Sequence, residues 1–96
     1  MTVHQTQTLT TSGTAYEIIP ALQVNGGDVT IQNNNASANI FIGGPGVTTS
    51  SFGFKLAPGV AISFELNGRD EIWAVSDTNS ATVNTLRVSL EGVYIV

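Results

Sequence analysis

Apolar and polar residues alternate with a period of two along three stretches of the chain. Val29 and Ile31 alternate with Thr30 and Gln32; Val60, Ile62, Phe64 and Leu66 with Ala61, Ser63 and Glu65; Leu86, Val88 and Leu90 with Arg87, Ser89 and Glu91. Successive side chains of a strand point to opposite faces, so each stretch predicts a strand with one face on a core and one in water. The runs are short, closely spaced and separated by Gly, Pro and Asn, which with the β-branched content leaves no window for a stable helix. The expected fold is all-β, a single-domain antiparallel β-sandwich or jelly-roll-like barrel over residues 13–96, with an extended N-terminal arm over 1–12.

Breaks in the pattern carry the next level of information. Pro20 separates Tyr16-Glu17-Ile18-Ile19 from Leu22-Gln23-Val24 and, lacking a ladder donor, places that break at a sheet edge or bulge. Asn25-Gly26-Gly27-Asp28 and Asn67-Gly68 supply the positive φ values that tight hairpin turns require. Two runs, Ile40-Phe41-Ile42 and Ile72-Trp73-Ala74-Val75, are apolar on both faces. Two-sided burial is hard inside so small a domain, so the second face is covered either by a neighbouring subunit or by a long loop of the same chain. Such a loop exists at 43–51, where Gly43-Gly44-Pro45-Gly46 gives backbone freedom and Val47 to Ser51 offers hydroxyls; it reads as a functional rim or as a sheet-to-sheet crossover.

The two ends of the chain pose the same question. Thr2 to Thr11 alternates Thr with Gln, Val and Leu, an extended strand of weak facial preference that either adds to a sheet edge or frays. The C-terminal Val93-Tyr94-Ile95-Val96 is apolar throughout and is expected to pair in the sheet or against another subunit.

Composition sharpens the picture. At 96 residues and without cysteine, the chain can hide roughly two-thirds of its unfolded surface and has no disulfide to reinforce it, which makes oligomerisation an expected source of stability. Only 10% of residues are charged, so the surface is solvated mainly by Thr, Ser, Asn and Gly and is suited to extensive protein contacts. A net charge of −4 with only Lys55, Arg69 and Arg87 as scattered cations argues against nucleic acid as a partner. No apolar run approaches a membrane span, and the N-terminus lacks the cationic start and apolar stretch of a signal peptide, so a soluble cytoplasmic product with no membrane partner is expected.

Chemistry is sparse. The sole histidine, His4, has no acid close in sequence and reads as an exposed strand residue rather than the base of a triad. Asp70 and Glu71, the one adjacent acidic pair, would point to opposite faces of a strand and suit a charged hairpin tip better than glycoside hydrolysis. Without cysteine, and with one histidine, no zinc site can be assembled; Asp28 and Asp77 read as Asx-turn residues rather than ion ligands. The glycine run lacks the Gly-Lys-Ser/Thr ending of a phosphate loop, and Asn35-Ala36-Ser37 matches a glycosylation sequon without a secretory signal. No catalytic residue, cofactor or metal is expected.

The run Ile40-Phe41-Ile42 entering Gly43-Gly44-Pro45-Gly46-Val47-Thr48, then Leu56-Ala57-Pro58-Gly59, Ile72-Trp73-Ala74-Val75-Ser76 and a last strand from Val83 to Leu90, resembles a small β-rich module of tailed-bacteriophage structural proteins. The resemblance covers roughly the last two-thirds of the chain and rests on turn and core positions shared by head-decoration, head-fibre and tail-associated proteins. It implies a virion protein made in the host cytoplasm, foremost a capsid decoration protein on the outer surface of the head. Such a protein would form a homo-oligomer, a trimer by analogy, and grip the phage major capsid protein at subunit junctions. The residues expected to make contacts are Thr2, Val3, Gln5, Gln7 and Leu9 of the arm, Val47, Thr48 and Phe52 of the loop, and Tyr94, Ile95 and Val96 at the end. The alternative implied by the same resemblance is a head-fibre or tail-associated domain binding host-surface carbohydrate through Tyr16 and Trp73.

Overall fold

A pair of four-stranded antiparallel sheets face each other in the computed structural model, which describes residues 2–20, 27–66 and 70–89. The strands are β1 (Thr2–Leu9), β2 (Tyr16–Ile19), β3 (Gly27–Asn33), β4 (Ile40–Gly43), β5 (Phe54–Leu56), β6 (Ala61–Leu66), β7 (Ile72–Ser76) and β8 (Ala81–Ser89), and the described residues contain no helix. The first sheet has the order β1-β8-β3-β6 and the second β2-β7-β4-β5. The pairs β1 with β8, β2 with β7, β3 with β6 and β4 with β5 are those of one long hairpin folded over and rolled up, the jelly-roll arrangement. The chain is a single-domain β-sandwich, as its alternation leads one to expect.

The core fills the space between the sheets with Leu9, Ile18, Val29, Ile31, Ile40, Ile42, Leu56, Ala74, Ala81 and Val83, while Ile62, Phe64 and Leu66 pack against it half-buried. Strand β3 shows how the pattern works: Val29 and Ile31 are buried and Asp28 and Gln32 exposed, as period two requires. At the sandwich's end the turn Ala57-Pro58-Gly59-Val60 closes with Val60 N–H on Ala57 O at 3.0 Å, and Gly59 takes the φ of +79° that a Pro-Gly type II turn demands.

Three expectations are corrected. The strands flanking the Asn-Gly signals are not hairpin partners: Gly27 and Asp28 already lie in β3, and β2 and β3, like β6 and β7, belong to different sheets. Residues 21–26 and 67–69 themselves lie outside the described residues. The 43–51 loop is the reverse case, a hairpin connection between β4 and β5 in one sheet rather than a crossover. Finally, Leu86 and Val88 do not face the core; each is 40% exposed, and the buried positions of β8 are Ala81, Val83 and Thr85. The register of β8 is dictated by its neighbours, because Val83 lies opposite Asn33 and Thr85 opposite Ile31, and a one-residue slip would turn every side chain over.

Candidate functional site

The doubly apolar strands β4 and β7 are buried on both sides by their own chain. Ile40, Ile42 and Ala74 face the main core, whereas Phe41, Val75 and the half-buried Trp73 form a second cluster on the outer face of the second sheet. The β4–β5 loop folds back to cover it, inserting Val47, which is buried and so is not the accessible contact residue expected. Gly43 permits this approach, since a Cβ there would meet Val47 Cγ2 at 3.2 Å. The loop is pinned by Val47 N–H to Gly44 O (3.0 Å), Thr48 N–H to Ser51 O (2.8 Å) and Gly53 N–H to Ile42 O (2.8 Å). Thr48 is exposed, but its hydroxyl oxygen accepts from Ser51 N–H at 2.9 Å. Phe52 is exposed at the rim, with its ring 4.9 Å from that of Phe41 and inclined at 57°. A shallow hollow of about 230 Å³ remains among Gly44, Pro45, Ser51 and Phe52.

The two candidate sugar platforms are not brought together. Tyr16 pairs with Ala74 and packs on the main core, while Trp73, opposite Glu17, lies on the outer face. Trp73 Nε1 donates to Glu71 Oε1 at 2.8 Å, and the Tyr16 hydroxyl accepts from Thr11 N–H at 3.0 Å; the Thr11 side chain first, and this backbone bond second, lower its pKa. Both polar handles are occupied within the fold.

The Asn-rich connection after β3 is likewise spent on structure. Asn33 is wholly buried; its Nδ2 donates to Ala38 O and Leu56 O, both at 2.8 Å, and its Oδ1 accepts from Asn35 N–H at 3.0 Å and Asn35 Nδ2 at 2.6 Å. The bond to Leu56 joins the two sheets. Asp77 accepts from Asn39 through both carboxylate oxygens, at 3.0 and 2.9 Å, and from Thr78, which lowers its pKa. Among the described residues no three His, Asp or Glu side chains gather as a metal site would require.

What the fold does expose is edge. β1 is extended over its full eight residues and pairs along one side with β8, Thr2 opposite Val88 through Leu9 opposite Ala81, without a bulge. The partner that the N-terminal strand needs is therefore in its own sheet. Leu9 is buried in the core and unavailable for docking, a correction to its place among the contact residues. Gln7 reaches across the sandwich to Glu17 O at 2.9 Å. Thr2, Val3, His4 and Gln5 are exposed toward the strand's beginning, with Val3 at 39%. Tyr94, Ile95 and Val96 lie outside the described residues.

The opposite side of the sandwich is formed by β5 and β6. Because β5 is three residues long and β6 six, the inward side chains of β6 are only partly covered. An apolar cleft of about 320 Å³ opens there among Ile42, Phe54, Ile62 and Phe64, with Phe54 55% exposed. Sequence reading missed Phe54 and this cleft. The signal lay in the shortness of the Phe54-Lys55-Leu56 run next to the long β6 pattern.

No protein-family model matches the chain, and no curated protein does. Among solved structures, the fold is similar to that of a protein of Bacillus endospore appendages, described as forming a novel family of disulfide-linked pili. The likeness has a TM-score of 0.52 at 17% identity and covers 94% of this chain and 88% of that one. At that identity it supports the β-sandwich fold and nothing finer.

Proposed function

We propose that this protein is a self-assembling structural subunit, foremost a capsid decoration protein of a tailed phage, acting on the outer surface of the head. The observation that carries the reading is the outer edge of β1, which among the described residues pairs on one side only, with β8. Its eight residues, Thr-Val-His-Gln-Thr-Gln-Thr-Leu, contain no Lys, Arg, Asp, Glu or Pro and make no bulge. Edges are ordinarily blunted by such features, as β2 is by its irregular register and by Pro20, so a long flat edge without them suits a strand that is covered in use. The 10% charge content and the exposed Phe52, Phe54, Leu86 and Val88 favour the same conclusion.

The placement on a phage head rests on the resemblance of Val29 to Val88 to phage structural modules. The structural neighbour's description names pili, a polymer, but its disulfide linkage has no counterpart in a chain without cysteine. Assembly here is non-covalent. A trimer gripping the phage major capsid protein at subunit junctions would stabilise the head by linkage, since a protein that binds the expanded lattice more tightly than the ruptured one opposes rupture. The exposed rim around Thr48 and Phe52 is the surface offered to the shell.

Light scattering on the size-fractionated protein, followed by co-sedimentation with undecorated expanded capsids, tests the reading. A trimer that pellets with capsids is the expected result. A protein that ignores capsids at every concentration would remove the decoration function.

A further inference from the structure

The two sides of the sandwich are complementary, and we infer that a second copy of this chain docks its β1 and β2 edges against the β5 and β6 edges of the first, continuing both sheets across the junction. The inference rests on the self-assembly reading and specifies how the copies meet. Strand direction is the first argument. Among the described residues each sheet has four strands, all antiparallel, so β1 of one copy runs opposite to β6 of the next, and β2 opposite to β5. Head-to-tail addition preserves the alternation in both sheets at once.

Side-chain placement is the second. The rows Thr2-Val88-Asp28-Glu65 and Tyr16-Ala74-Ile42-Phe54 run straight across the two sheets. Extended without a shift, they set Thr2 beside Glu65, Val3 beside Phe64, His4 beside Ser63 and Tyr16 beside Phe54 of the neighbouring copy. The open cleft of Ile42, Phe54, Ile62 and Phe64 is then closed by Val3 and Tyr16, and the exposure of Val3 and Phe54 is accounted for.

Charge is the third argument. Lys55 at one edge and Glu17 at the other lie on the outer face of the second sheet, opposite Phe41 and Trp73 respectively, and both are exposed. In the unshifted register this pair falls on diagonal positions of neighbouring strands, about 7–8 Å apart between backbones and within reach of long side chains. The contact uses two different surfaces, so it closes into a ring or runs on as a filament rather than pairing a patch with itself.

Because the protein has no cysteine, engineered thiols report the register without interference. His4→Cys and Ser63→Cys are both at exposed positions. Within one copy they are separated by three strand spacings, roughly 14 Å, too far for a disulfide, whereas across the proposed junction they are directly opposed. A mixture of the two single variants should give mixed disulfide dimers under mild oxidation, at least tenfold more than a mixture of His4→Cys with Thr30→Cys on inner strand β3. Val3→Lys, which aims a charge at Phe64, should raise the dissociation constant of the assembly at least tenfold.

An assembled protein that gives no more cross-link with Ser63→Cys than with Thr30→Cys overturns the edge contact and leaves self-assembly standing. A monomer that still binds capsids overturns the edge contact and leaves decoration standing. A monomer whose Ser63→Cys links to Tyr94→Cys of its own chain shows that the β6 edge is held in cis, and the inference falls.

Discussion

At the residue scale, the buried polar groups decide more than their number suggests. Asn33 satisfies two carbonyls, one of them across the gap between sheets, and anchors the half-buried Asn35. Replacing it by leucine leaves Ala38 O and Leu56 O without their donor, so Asn33→Leu should lose about 3 kcal/mol in urea denaturation. Asp77 behaves differently because it is exposed. The Asn39 hydrogen bonds hold its folded pKa below the ordinary carboxylate value, so its contribution is present above about pH 4 and is lost as the pH falls through the lowered pKa. The gap in melting temperature between wild type and Asp77→Ala should therefore narrow as the pH is taken from about 5 to about 2; a gap that widens would mean the bond does not favour the carboxylate. Asp77 was read in the sequence as an Asx-turn residue, whereas its carboxylate is held by the distant Asn39. That Asn33 is buried was not legible there, because nothing local distinguishes it from Asn34, which is exposed.

At the scale of elements, β8 is the strand on which sequence and structure part. Leu86, Val88 and Leu90 form the stronger apolar period, but Ala81, Val83 and Thr85 occupy the core face. Thermal or chemical unfolding should separate the two sets. Val83→Ala should cost about 2 kcal/mol as a cavity in a packed core, while Leu86→Ser should stay within about 0.5 kcal/mol. Equal losses would place Leu86 in the core after all. Strands β4 and β7 teach the complementary lesson. Their two-sided apolarity was visible in the sequence and demanded a cover, and the cover is the loop carrying Val47 and Phe52. A pattern can state that a face is buried without stating what buries it.

For the whole molecule, the dominant feature is an asymmetry between its sides: an apolar cleft along β5 and β6 and, among the described residues, a long edge at β1 that no strand covers. The proposed assembly would stabilise the fold, since binding that favours the native state raises stability by mass action. The melting temperature should accordingly rise with protein concentration over a hundredfold dilution series; a concentration-independent value would indicate a self-sufficient monomer. Jelly rolls serve both capsids and lectins, so the fold alone does not choose between shell and sugar. The separation of Tyr16 from Trp73 on opposite faces of one sheet weighs against a shared aromatic platform.

The amino-acid sequence by itself determined the strand class, the single domain and the sparse charge, because period-two alternation, turn residues and composition are local properties. Only the tertiary structure decided which strands became edges, which face of β8 met the core, that Leu9 and Val47 were interior, and that β5 was too short to cover β6. Each of these depends on which strands lie side by side, a long-range relation on which the local pattern is silent.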